Sequence, residues 1–238
     1  MFVLCSFAVS AGAAVDSPKD PLAVFREAAA LLRASSALSV HVEKRFDVLT
    51  VDGAKVQYSG ALDLVVRRSG GLHIDYGDDM SAKEAWYDGA KLTVFDHLEK
   101  VYASIPAQGS VEDVLTDVNR RYGLELPLAT LLERKLAEDF ESATERSRYL
   151  GIHDAEGVPC HHLLFRGLEK DLQIWVHAGE QPLLRKLVVT FRQIDGAPQQ
   201  ELVFSEWDLQ AEVDPSVFKA KIPEGAIETE FLPRGKDQ

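Results

Sequence analysis

The chain has 238 residues, a formal net charge of −12, 46% hydrophobic and 27% charged residues. These are the proportions of an ordinary globular protein with enough apolar material for a sizeable core, and they exclude a largely disordered chain. Lys and Arg are scattered, with runs no longer than pairs such as Arg67-Arg68. That excludes nucleic acid and an anionic membrane surface as partners, because both need clustered basic charge.

Residues 2–14 are apolar or small, and Ala11-Gly12-Ala13 gives a small-x-small cleavage pattern ahead of Asp16. The run predicts a secretory signal over 1–14, with a basic start expected upstream of Met1. It is shorter than the ~20 apolar residues of a membrane span. The bulky Phe2 and Leu4 argue against lipid modification at Cys5. Residues 15–238 are expected to form one exported, periplasmic domain. Cys160 is then its one cysteine, so no internal disulfide is expected, and its strand-like surroundings predict a buried apolar role.

The first mature element is a helix over 20–37, capped by Asp20, with Pro21 at the first helical position and Leu22, Phe25, Ala29 and Leu32 near the 3.6-residue period. Strict alternation follows from Leu38 to Val48. Leu38, Val40, Val42, Lys44, Phe46 and Val48 share one face, and Ser39, His41, Glu43, Arg45 and Asp47 share the other. Asp52-Gly53 turns into a second strand with Val56, Tyr58, Gly60, Leu62, Leu64 and Val66 on one face. Gly70-Gly71 and Asp88-Gly89 separate further strands over 72–76, 84–87, 92–95 and 101–105. Ser110-x-x-Asp113 opens a helix that Gly123 stops, and Pro127 opens another with Leu128, Leu131, Leu132 and Leu136 on its apolar face. Strands resume over 148–153, 158–165, 172–177, 184–194 and 201–209, and the tail from Asp214 is expected to add one short strand and a frayed end.

This pattern predicts a mainly β (α+β) fold: an antiparallel sheet of about eleven strands with three substantial helices. A sheet this wide twists and curls. Narrow helices cannot interdigitate fully with its concave side. A partly closed barrel under a helical lid leaves an apolar hollow, unless large side chains fill it.

Several stretches resemble the superfamily of periplasmic outer-membrane lipoprotein carriers (LolA-type). They are the turn Val51 to Val56, Gly60-Ala61-Leu62, Arg67 to Tyr76, the turn Asp88 to Asp96, Leu126 to Leu132, Ile174-Trp175-Val176 with Gln181 to Leu187, and Phe218 to Gly225. Gly157 to Leu163 places the chain closer to an uncharacterised branch of predicted periplasmic proteins with that fold. The resemblance implies an incomplete β-barrel with a helical lid and acyl chains bound on the concave face. Here that face carries Val40, Val42, Lys44, Phe46, Leu62, Leu64 and Ile74, with Leu128, Leu131 and Leu132 from the lid and Trp175 from the late hairpin. It also implies a basic residue at the end of the second strand that latches the lid. Arg68 matches, with Arg67 open because the register shifts by one, and Ser69 and His73 depart from the family's Pro and Arg.

Lys44 stands out from the pattern itself. A charge on an apolar face needs a partner. That partner is a lipid headgroup or a salt bridge, unless a bulge or its own long stem carries the ammonium to the rim.

No G-x-S-x-G elbow, H-E-x-x-H pair, phosphate loop or dinucleotide fingerprint occurs. His161 and His162 face opposite ways on a strand, whereas Cys160 and His162 share a face but lack a second ligand cluster. No catalysis, cofactor or metal is expected. The expected protein is a monomeric carrier for a lipid or acylated lipoprotein. The alternatives are a sensor module of the same fold with an envelope protein partner, and a structural domain with a filled core.

Overall fold

A computed structural model describes residues 19–124, 126 and 128–232. The signal-like segment, Pro127 and residues 233–238, where the chain was expected to fray, lie outside the described residues. Helix α1 (Pro21–Ala34) starts on Asp20, whose Oδ1 accepts a hydrogen bond from the Leu22 amide at 3.0 Å. It ends short of the expected Ala37 because Ser35 adopts extended backbone and leads the chain into the sheet.

The strands are β1 (Ala37–Leu49), β2 (Lys55–Arg67), β3 (Gly71–Asp78), β4 (Ala82–Tyr87), β5 (Lys91–Asp96) and β6 (Val101–Pro106), then β7 (Arg146–Ala155), β8 (Val158–Arg166), β9 (Lys170–His177), β10 (Leu184–Phe191), β11 (Gln199–Asp208) and β12 (Ile227–Thr229). They form one sheet in the order β12-β6-β5-β4-β3-β2-β1-β11-β10-β9-β8-β7. Two meanders, β1–β6 and β7–β11, are therefore joined side by side through the antiparallel β1–β11 pair. The strands β7 and β12 remain edges, so the curved sheet is an incomplete barrel. The short β12 pairs parallel with β6.

Register holds the inward rows together. Val40, Leu64, Ile74 and Ala85 form one row across β1–β4, and Val42, Leu62 and Tyr76 form the next. After that come Lys44, Gly60 and Asp78. The first row is fully buried in the core, and the third lies toward the hairpin ends of β1–β2 and β3–β4.

Helix α2 (Val111–Tyr122) begins on Ser110, whose Oγ accepts from the Asp113 amide at 3.2 Å, and ends at Gly123 in left-handed backbone (φ 66°). The expected second helix of the pair is broken. Leu128 adopts a left-handed conformation (φ 59°), Ala129–Leu132 make a single 3-10 turn, and helix α3 spans only Leu136–Ser142. A leucine in that conformation cannot propagate a helix, so the leucine-rich stretch folds as a bent cover. α1 packs against β7, β8, β9, α3 and the 3-10 turn.

Beyond β11, Asp214 caps a 3-10 turn (Pro215–Phe218) that packs on β3. Phe218 is buried there. Its ring lies so close to Gly71 that a Cβ at that position would sit 2.6 Å from it. The Arg67 guanidinium stacks on the same ring, 4.9 Å from its centroid.

Candidate ligand cavity

Between the concave sheet and the bent cover lies a cavity of about 660 Å³. That volume is within the roughly 300–1,000 Å³ typical of small-ligand sites. The sheet contributes mainly aliphatic wall, including Val42, Leu62, Ile174, Leu187 and Leu202, and the cover contributes Leu128, Leu131 and Leu136. One corner is aromatic: Phe140 of α3 packs 4.2 Å from Phe25 of α1 and 4.8 Å from Phe165 of β8, between ring centroids. This corner, and the β10–β11 wall of Leu187, Leu202 and Phe204, were absent from the sequence expectation. The alternation Gln200, Leu202, Phe204 carried that signal, because β11 lies directly beside β1.

Val42, Lys44, Leu62, Leu128 and Leu131 from the expected set line the cavity. Val40, Leu64 and Ile74 sit one row deeper, and Leu132 is also buried; all four belong to the packed core rather than to the cavity wall. Phe46 is half-buried beside Lys44, whose ammonium lies 4.1 Å from its ring centroid.

Trp175 requires correction. Its neighbours Leu172 and Ile174 line the cavity, so strand alternation puts Trp175 on the convex face. There it stacks on His162 at 3.9 Å, with Lys186 Nζ 5.5 Å from its ring centroid. Buried Cys160 shares that face with His162, and burial pushes its thiol up to about 11, so it stays protonated.

His162 also lies 2.8 Å from His153, Nδ1 to Nδ1, and 3.2 Å from the Gln173 side-chain oxygen. Burial depresses its pKa, and nearby His153 and Lys186 add to that against the Gln173 contact. An imidazole held below its unfolded pKa binds fewer protons in the native state. Its stability contribution is therefore complete above the unfolded value of about 6.5 and is lost as pH falls through that value toward the folded one. The melting temperature is expected to fall between pH 7.5 and 5.5, and less steeply in His162→Gln. Parallel melts in matched buffers test this, and equal slopes in the two proteins would refute it.

Lys44 stays on the concave face, since the β1–β2 register is unbroken there. Its Nζ donates to the Tyr76 hydroxyl at 2.9 Å and lies 3.8 Å from Asp78 Oδ2. The intervening Gly60 makes this possible: a Cβ there would lie 2.4 Å from the Asp78 Cβ. The Tyr76 hydroxyl donates in turn to Asp78, and the Met80 amide donates to Asp78 Oδ1 at 2.8 Å. Burial lowers the Lys44 pKa, opposed by the Asp78 charge. For Asp78, burial alone would raise the pKa, but the bonds from Tyr76 and Met80 and the Lys44 charge outweigh it and hold the carboxyl below its ordinary value.

Arg68 lies outside the cavity, where cover, helices and sheet meet. Its Nε donates to the Ser35 carbonyl at 2.9 Å, and one terminal nitrogen donates to the Leu32 carbonyl at 2.9 Å. The other donates to the Leu132 carbonyl at 3.1 Å and to the Glu112 carboxylate. One planar guanidinium thus satisfies carbonyls at the end of α1 and in the cover, and joins α2 through an ion pair. Arg67, on the adjacent outward position, reaches none of these and stacks on Phe218 instead.

The family model of predicted periplasmic proteins (DUF2092) matches residues 22–232. The chain belongs to that family. It is a periplasmic protein. No curated protein matches the sequence. Among solved structures, an uncharacterized conserved protein from Thermus thermophilus is similar at a TM-score of 0.51 and 8% identity, covering 87% of this chain and 97% of that one. The Mycobacterium tuberculosis lipoprotein LppX is similar at a TM-score of 0.45 and 15% identity, covering 82% and 98%. LprF from Mycobacterium bovis is similar at 0.45 and 14%, covering 89% and 100%. The Thermus likeness is one of fold. The architecture is that expected from the lipoprotein-carrier resemblance, an open curved barrel with a helical cover.

Proposed function

We propose that this periplasmic protein is a non-catalytic carrier that holds an acyl chain, of a lipid or of a lipoprotein, in the cavity beneath its cover. One observation carries the reading: an apolar space of about 660 Å³ remains between sheet and cover after the core has packed. An alkyl chain entering it leaves water at roughly 0.8 kcal/mol per buried methylene. Because such a gain has no direction, release needs a movement of the cover. Arg68 is the residue proposed to latch it, through its bond to the Leu132 carbonyl.

Native mass spectrometry of the protein purified from its own cell envelope tests the reading. A co-purifying lipid is expected, and its mass identifies the cargo. A second test fills the space. Leu202 lies on the sheet wall of the cavity, and Leu202→Trp is expected to weaken displacement of a bound hydrophobic dye by palmitate more than tenfold. Overpacking of this kind costs about 1–3 kcal/mol of stability, so the variant is expected to stay folded. Unchanged displacement by palmitate would remove the cavity from the binding process.

A further inference from the structure

Sheet and cover differ in charge around the cavity. The polar side chains on the sheet wall are Lys44, Tyr76, Lys170 and Gln200, with no carboxylate, whereas the cover contributes exposed Glu133 and Asp139. Lys44 is the deeper of the two lysines; its side chain is 21% exposed, while Lys170 is an exposed residue at the start of β9. Of the three donors on the Lys44 ammonium, one serves the Tyr76 hydroxyl, and no other hydrogen bond from it is made among the described residues. Asp78 is 3.8 Å away, beyond hydrogen-bonding distance, and its oxygens already accept from Tyr76 and the Met80 amide. The carboxylate therefore balances the charge of Lys44 without using its remaining donors. Those donors sit where the mainly apolar cavity meets the hairpin end of the sheet. A charged group in such a place is stabilised by an acceptor that brings its own negative charge.

We propose that the bound amphiphile carries an anionic head, a carboxylate or a phosphate, and that Lys44 receives it beside Tyr76, where the cavity meets the hairpin end of the sheet. This rests on the acyl-carrier reading and adds the class of head. The acyl chain would run inward past Val42 and Leu62, which occupy the adjacent inward row.

Three probes with one chain and different heads test it: palmitate, hexadecyl phosphate and 1-hexadecanol, each displacing a neutral hydrophobic dye from the full mature chain at pH 7.5 and low salt. At least one anionic probe is expected to bind about tenfold or more tighter than the alcohol, the factor that one charge-assisted hydrogen bond supplies. The tighter of the two anionic probes identifies the source of the charge. In Lys44→Met the anion-to-alcohol ratio is expected to fall to about one, and in Lys44→Arg to stay well above one. Equal binding of the three probes by the wild type overturns the proposal but leaves the carrier reading standing, as does a preference that survives Lys44→Met. If none of the probes displaces the dye, the carrier reading itself fails and the proposal falls with it.

Discussion

Replacing Arg68 with leucine is expected to lower the stability of the protein by about 3–5 kcal/mol, the usual cost of removing one partner from a buried ion pair. The side chains of Arg68 and Glu112 are 16% and 11% exposed, so the deletion strands a largely buried carboxylate on α2. It also removes the donor from the carbonyls of Leu32, Ser35 and Leu132. Leu32 keeps the 3.4 Å bond from the Ser35 amide at the last turn of α1 but loses the shorter one from the arginine, and the Ser35 and Leu132 carbonyls lose their guanidinium donors. For a chain of this size each kcal/mol shifts the melting temperature by roughly 2–4 °C, so a fall of roughly 6–20 °C is expected. The double variant Arg68→Leu/Glu112→Leu should be more stable than Arg68→Leu alone, because it no longer buries an unpaired charge. Arg68→Lys should fall in between, since an ammonium keeps the charge but cannot span four acceptors in one plane. Denaturant titrations of the set decide the matter. A loss under about 1 kcal/mol for Arg68→Leu would mean that the pair is effectively solvated.

The second large effect is expected at the C-terminal segment. Phe218→Ala should cost about 3–5 kcal/mol, as for other buried aromatic truncations. The ring is buried between the 3-10 turn and β3, touches Gly71 and carries the Arg67 guanidinium. It also fixes the path of the chain toward β12, which supplies the outer neighbour of β6. The complementary change is Gly71→Ala, whose new methyl would meet the ring at 2.6 Å. Overpacking of that kind typically costs about 1–3 kcal/mol. In a Phe218→Ala background the same methyl has space, so the double variant should be less destabilised than the sum of the singles. Strict additivity in a double-mutant cycle would show that the two residues do not share a contact in solution.

Much of the architecture was legible in residue order because it depends on short-range rules. The turns at Asp52-Gly53, Gly70-Gly71 and Asp88-Gly89 each join the expected pair of strands. Period-2 alternation named the inward residues of β1 and β2 correctly, down to the row of Val42 and Leu62. Asp20 and Ser110 cap the helices where expected, because a cap is a bond to an amide two or three residues away. Trp175 was misplaced by the family resemblance instead, because its motif was matched whole. The outward direction of Trp175 follows from its alternation with Leu172 and Ile174, not from its resemblance to another hairpin.

Residue order alone was enough to show which side chains share the inward face of β1 and β2, where the hairpins turn, and that a charged lysine stands in an apolar row. Each of these is a property of neighbours within a few residues. Which inward residues remain open to a cavity and which close on one another follows instead from packing, because it depends on how far the bent cover reaches across the sheet. The long-range pairing of β1 with β11 brings the second wall of the cavity beside the first. The left-handed turn at Leu128 bends the cover that leaves Leu202 open while Leu64 is sealed. Gly60 and Asp78 meet Lys44 only through the register of three strands, and Arg68 finds its four acceptors only once two helices and the cover have converged. Such meetings are set by packing between segments far apart in the chain, and local propensity does not encode them.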